Sequence, residues 1–285
     1  MNVTPDILRV QGLRLSVPGE KGRVEILKGV DLELRRGEVM GVAGESGCGK
    51  STLIKTILGI LPHKASVDGG TITLDGQDLL SSPKGSDLRR AFGFIPQDPW
   101  LAMNPLFRIG TQMLEVLRWN GMPGEPPRAL RGADLARARA YLVGLLRAVR
   151  LPDPEGALER YPHQFSGGQR QRILIASALA SRPRVLLADE PTTALDVTTQ
   201  LEILRLLDDL VGEFDTSMLF VTHDFGVISQ MCDRVMVMYA GKVVETGDTR
   251  QIIDAPREAY TAKLIDAHPD RGGFSFFDAA QGDRP

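Results

Sequence analysis

Cysteine is nearly absent: Cys48 and Cys232 are the only two in 285 residues. That is too few for a disulfide framework or a cysteine-built metal cluster, and a reducing cytoplasm is the expected compartment. No apolar run reaches the ~18 residues that a membrane-crossing helix needs. The opening stretch MNVTPDILRV lacks the basic start and apolar centre of a secretory leader. Phe, Trp and Tyr make up 6%, and none of them occurs before Phe92, so no earlier segment can offer one of those rings to a base. Excess positive charge is missing too. The formal net charge is -2, which argues against a partner such as nucleic acid held by bulk electrostatics.

What is present suits a folded α/β chain. Hydrophobic residues make up 42% and charged residues 25%, and the length allows one large domain or a core carrying a smaller subdomain. Apolar and polar residues alternate over 7–17 and 24–34, predicting two strands joined by a turn at Pro18–Gly22. Val39–Ala43 is continuously apolar, as a buried strand should be. A helix is expected from Lys50 to about Ile60, and a short strand pair over 71–80. From Pro99 to Phe165 the periodicity turns helical, most clearly at Arg137–Val149, with a Pro/Gly-rich loop at 120–132. Strands return at 185–188, 218–221 and 235–239, with a helix bearing Leu201, Leu204, Leu207 and Leu210 between the first two. The predicted fold class is α/β: a core over 1–98 and 166–250, a helical insertion over 99–165, and an extension over 251–285 whose end, 268–285, is expected to be disordered.

Residues 44–52 read Gly44-Glu45-Ser46-Gly47-Cys48-Gly49-Lys50-Ser51-Thr52, between a predicted strand and a predicted helix. This is a P-loop in its required context. Glycines let successive backbone N–H groups turn toward phosphates without a Cβ in the way, and the helix aims its positive end at the same anion. Lys50 can reach the β- and γ-phosphates of ATP, and the Ser51 hydroxyl can ligate Mg²⁺. Cys48, close to Lys50 and the helix start, is expected to lean toward thiolate. A second apolar strand ends in Asp189 and Glu190. Buried adjacent carboxylates need compensation, so Asp189 fits the metal side and Glu190 the base that polarises water. Elsewhere an apolar run closed by an acid is an ordinary solvated strand end.

Ser166-Gly167-Gly168-Gln169 opens another helix, with Ser166 a good N-cap and two glycines exposing N–H groups to an anion. Alone it would be a routine cap. Standing between the P-loop and the acidic strand, it resembles the signature of ABC transporter ATPases, where Leu is usual in place of Phe165. The resemblance covers roughly residues 7–250 and implies further roles. Gln97 matches the Q-loop glutamine, which touches Mg²⁺ and senses membrane subunits. Asp196 matches the D-loop aspartate, and His223 the switch histidine at the γ-phosphate. The stretches 97–105 (QDPWLAMNP) and 161–168 (YPHQFSGG), with Ala259-Tyr260-Thr261, resemble the oligopeptide/dipeptide/nickel importer branch. Some members of that branch hold a C-terminal iron–sulfur cluster; this chain has no cysteine after Cys232, so none is expected.

The resemblance implies an antiparallel β subdomain beside the P-loop core, and an ATPase working peripherally at the cytoplasmic face of the inner membrane. Expected partners are a second ATPase subunit, identical or more often different in this branch, two integral-membrane permeases and, indirectly, a solute-binding protein. Each P-loop nucleotide would be closed over by Ser166 and Gly168 of the paired cassette. Ribosome-associated relatives carry two cassettes per chain, DNA-repair relatives carry coiled coils or zinc cysteines, and P-loop kinases lack SGGQ, so those readings fit less well. One departure stands out: the aromatic that usually stacks on adenine upstream of the P-loop is replaced by Val24.

Overall fold

The computed structural model describes residues 6–83, 86–193 and 195–267; the expectation for 268–285 lies outside them. In chain order the elements are β1 (Asp6–Gly19), β2 (Gly22–Arg35), β3 (Val39–Ala43), α1 (Lys50–Leu58), β4 (Ser66–Leu74), β5 (Gln77–Asp78), α2 (Asp87–Arg90), β6 (Phe92–Ile95), α3 (Pro99–Ala102), α4 (Ile109–Asn120), α5 (Gly132–Ala148), α6 (Pro154–Ala157), α7 (Gly167–Leu179), β7 (Val185–Asp189), α8 (Val197–Glu213), β8 (Ser217–Val221), α9 (Phe225–Met231), β9 (Arg234–Tyr239), β10 (Lys242–Asp248), α10 (Thr249–Asp254) and α11 (Ala259–Asp266). They fall into two compact units, one built from the chain up to Ser81 and from Ser217 onward, the other from Ser82–Thr216. The helical stretch expected over 99–165 lies inside the second.

In the first unit, β1 and β2 form the hairpin that their alternation predicts, turning at Gly19 and Gly22, and Val17 stands opposite Val24. β4 pairs antiparallel with β1 and begins at Ser66, five positions before the expected start, because its polar first half carries no alternation to read. β3 lies parallel to both β8 and β9, and β10 folds back antiparallel on β9. All five residues of β3 and all five of β8 are buried, which is why Val39–Ala43 and Met218–Val221 read as unbroken apolar runs. The two sheets of this unit meet through the Lys28 amide, which donates to Gly241 O at 2.8 Å.

In the second unit, β6 and β7 pair in parallel. β6 went unread in the sequence because four residues are too few to establish a period. α5 starts at Gly132, earlier than its apolar stripe, since none of the residues in its first turn is buried. Its inward face is Ala138, Leu142, Leu145 and Leu146, at the 3–4 residue spacing of one helix face. α7 is buried on most sides, and Ile173, Ile175, Ala176 and Leu179 lie in its core.

Candidate functional site

β3 delivers the P-loop directly. Gly44 follows it at φ 149°, where an added Cβ would lie 2.3 Å from Met238 O and 2.8 Å from Cys48 Sγ. Only glycine fits there. Gly47 and Gly49 also hold positive φ, at 81° and 111°. Gly49 is the N-cap of α1 and no side chain caps that helix, whose first turn holds no acid. The arrangement leaves helix amides and the positive end of the helix for an anion. Lys50 is buried, and its Nζ donates to Gly44 O at 2.6 Å and Glu45 O at 3.0 Å. Two carbonyls thus satisfy a charge that burial would otherwise penalise. Ser51 and Thr52 follow in the first turn of α1, both half-buried, with Ser46 exposed in the loop.

Cys48 departs from expectation. It is buried with its Sγ 3.9 Å from Lys50 Nζ. Burial pushes its thiol up from the ordinary value despite the lysine's opposing pull, so the expected lean toward thiolate is corrected: desolvation outweighs the nearby charge. His223 lies exposed in the turn after β8, directly before Asp224, whose carboxylate caps α9 by accepting from the Gly226 and Val227 amides at 2.8 and 3.2 Å. Val24, on β2, is 51% exposed.

The second unit gathers the remaining candidates. β7 ends with Asp189 buried. Glu190 then takes φ 46°, a left-handed conformation costly for a side-chain-bearing residue and common where function demands it. Its Oε2 accepts from Gln97 Nε2 at 3.1 Å and from Thr193 Oγ1 at 2.9 Å. Gln97 and Glu190 are therefore brought together across 93 positions of sequence, and Thr193 joins them without having been singled out in the sequence.

Ser166 caps α7 as the sequence suggested. Its Oγ accepts from the Gln169 amide at 3.3 Å while Gln169 Oε1 accepts from the Ser166 amide at 3.0 Å, a reciprocal capping box. Gly168 is needed for a packing reason: a Cβ there would stand 2.6 Å from Thr199 Cγ2 on α8. Asp196 caps α8, accepting from the Thr199 amide and hydroxyl at 3.0 and 2.7 Å, and these bonds hold its carboxyl below the usual range. The caps of α7 and α8 face a common pocket of about 550 Å³, which Ser166, Gly167 and Gly168 line together with Arg150, Arg172 and Asp196.

Sequence reading also missed Arg170. Buried in α7, it donates from Nε and Nη2 to Phe165 O at 2.9 and 2.5 Å, and its guanidinium lies over the Trp100 ring. No local pattern announces such a contact. Trp100, Leu101, Leu106 and Phe107 are all exposed, an apolar cluster within eight residues of sequence.

A family model described as ABC transporter matches residues 27–193. The chain is 42% identical over 275 residues to the "Probable D,D-dipeptide transport ATP-binding protein DdpD" of Escherichia coli (strain K12), covering 95% of this chain and 80% of that protein. It is 40% identical over 266 residues to the "Oligopeptide transport ATP-binding protein OppD" of Salmonella typhimurium, covering 92% and 76%. Among solved structures, it resembles the dimeric, post-hydrolysis ATP-binding cassette MJ0796 bound to ADP and Pi, at TM-score 0.71 and 27% identity over 85% of this chain and 99% of that one. It also resembles cbiO1 from Clostridium perfringens, part of the ABC transporter complex cbiONQ, at TM-score 0.71 and 27% identity over 94% and 97%.

Proposed function

This chain belongs to the ABC transporter family, and from that membership we propose that it is the ATP-hydrolysing subunit of an importer for di- or oligopeptides. The observation that carries the peptide assignment is the 40–42% identity to peptide-transport ATP-binding proteins across 92–95% of the chain. The site chemistry supports the reaction. Loop amides from residue 46 onward and the Lys50 ammonium bind phosphates. Asp189 and the Ser51 hydroxyl are hard oxygen donors, the kind Mg²⁺ prefers, and we assign them to hold it. When bound, the metal supplies charge neutralisation at the phosphates. Glu190 takes a proton from the attacking water, with Gln97 and Thr193 fixing one carboxylate oxygen so that the side chain cannot wander. His223 contacts the γ-phosphate.

Among the described residues no helix is long and apolar enough to cross a membrane. The likeness to ATP-binding components of transporters supports membrane-spanning partners. We assign two permeases, a second cassette of different sequence, and a position at the cytoplasmic face of the inner membrane. The exposed cluster from Trp100 to Phe107 supplies apolar surface for docking on the permeases. Ser166 and Gly168 close over the nucleotide of the paired cassette.

The test is uptake in the parent cell with this gene deleted. Radiolabelled di- and tripeptide uptake is expected to be lost, to return with the wild-type gene, and not to return with Glu190→Gln. Normal peptide uptake in the deletion strain, with nickel uptake lost instead, would overturn the peptide assignment.

A further inference from the structure

The Ala259-Tyr260-Thr261 motif has no part in the chemistry above, yet the fold brings it to the nucleotide loop. Glu245, on β10, is buried, and its two carboxylate oxygens accept from successive amides just before α11: Arg257 N–H at 2.8 Å and Glu258 N–H at 3.2 Å. A buried carboxylate spent on two backbone amides fixes where α11 begins. Thr261, Leu264 and Ile265 turn into the core of the first unit. Tyr260 then packs its ring on Tyr239, the last residue of β9, with centroids 4.4 Å apart and planes tilted by 45°. Its hydroxyl accepts from the Glu45 amide of the P-loop at 3.4 Å, across 215 positions of sequence. Burial pushes the Tyr260 phenol up, so it stays protonated and neutral near pH 7.

Residue 45 is held from both sides. Its N–H meets Tyr260, while its carbonyl accepts from Lys50 Nζ at 3.0 Å and from the Cys48 amide at 3.3 Å. The Lys50 bonds to Gly44 O and Glu45 O compete with phosphate for the same ammonium. A lysine that swings onto a phosphate surrenders part of that hold on the loop. The Tyr260 hydroxyl does not depend on where Lys50 points, because it binds the N–H of the Gly44–Glu45 peptide unit, whose other end, Gly44 O, is the one that Lys50 uses. Ring packing against Tyr239 would need no hydroxyl; the bond to a P-loop amide is a separate feature.

We propose that Tyr260 is a positioning residue for the P-loop: carried by α11 and braced by Tyr239, its hydroxyl fixes the Glu45 peptide so that the loop amides stand ready for phosphate while Lys50 moves. Preorganisation of this kind raises affinity by removing an ordering cost from binding. The inference rests on the nucleotide-binding reading of the P-loop. It gives the C-terminal segment a direct role in nucleotide affinity.

The experiment uses the purified full-length chain, as wild type, Tyr260→Phe and Tyr239→Phe. MgATP affinity is read by titration calorimetry, and exchange of the Glu45 amide by hydrogen exchange. Tyr260→Phe keeps the ring and loses the hydroxyl. Its ATP affinity is expected to fall by about three- to tenfold, the effect of one backbone-directed hydrogen bond. Glu45 exchange should accelerate, with an unchanged melting temperature. Tyr239→Phe, which keeps the ring contact, should behave as wild type. Wild-type ATP affinity in Tyr260→Phe overturns the proposal, whatever the exchange shows. Failure of the wild-type chain to bind MgATP at all would overturn the nucleotide-binding reading instead, so the two failures are told apart.

Discussion

The guanidinium of Arg170 lies 3.3 Å from the centroid of the Trp100 ring, joining the start of the signature helix to the residue that opens the exposed apolar cluster. Arg170 also clasps Phe165 O, the carbonyl next to the Ser166 cap. Removing the half-exposed ring opens the Arg170 guanidinium to water and loses the stacking contact. Trp100→Ala should therefore destabilise the chain by about 0.5–1 kcal/mol, the range for a cation–π pair that solvent reaches, and Trp100→Phe should recover part of it. Urea unfolding curves measure this. A wild-type midpoint in Trp100→Ala would show that the contact carries no stability.

Glu190→Gln preserves shape and can still accept from Gln97 and Thr193 through its amide oxygen, but it cannot take a proton. ATP should bind normally while turnover in the assembled transporter falls by ~10²-fold or more. Phosphate release under saturating ATP checks this. Near wild-type turnover would remove Glu190 from the role of base.

Cys48 should be a slow nucleophile. Because burial raises its thiol above the ordinary range, maleimide labelling near pH 7 is expected to lag behind that of a free thiol and to climb as pH rises through and above the ordinary thiol range. MgATP should protect it, and an adduct should abolish nucleotide binding by filling the loop. The same shift has a sign for stability. The folded thiol holds its proton more tightly than the unfolded one, so stability is full below the unfolded value and falls as pH rises toward the folded one. Labelling at pH 7 as fast as a free thiol would contradict the burial argument.

Base selectivity should be weak. Val24 faces Val17 across the hairpin, and no Phe, Tyr or Trp precedes Phe92. Tyr260 is engaged at Glu45 and Tyr239 rather than left to stack elsewhere. A stacked ring is worth roughly 1–3 kcal/mol, so without one GTP should bind within about tenfold of ATP. Val24→Tyr should tighten ATP binding. Competition binding with both nucleotides decides it: strong ATP preference in wild type, with no gain in the variant, would refute the idea.

Local order in the chain was enough to reveal much of this protein. The apolar runs Val39–Ala43, Val185–Ala188 and Met218–Val221 in β3, β7 and β8 betray burial on both faces, because a strand covered on each side has no solvent face to make polar. The β1–β2 hairpin announces itself by alternation and by Gly19 and Gly22. The P-loop is legible since its constraints are steric and local: Gly44 must be glycine because a backbone carbonyl stands where a Cβ would go. The Ser166–Gln169 capping box is local for the same reason, both bonds closing within four residues.

Tertiary structure decided everything that depends on distant partners. Whether Cys48 leans toward thiolate turned on how much water reaches it, which spacing from Lys50 does not reveal. Glu190 gains Gln97 from 93 positions away, Arg170 gains Trp100 from the far side of the helical segment, and Glu45 gains Tyr260 across 215 positions. Short elements such as β6 and the polar first half of β4 were also invisible, since their form comes from neighbouring strands rather than from a period of their own. Contacts of this kind are set by chain closure and packing, and their energies do not depend on any adjacent residue, so no local pattern records them.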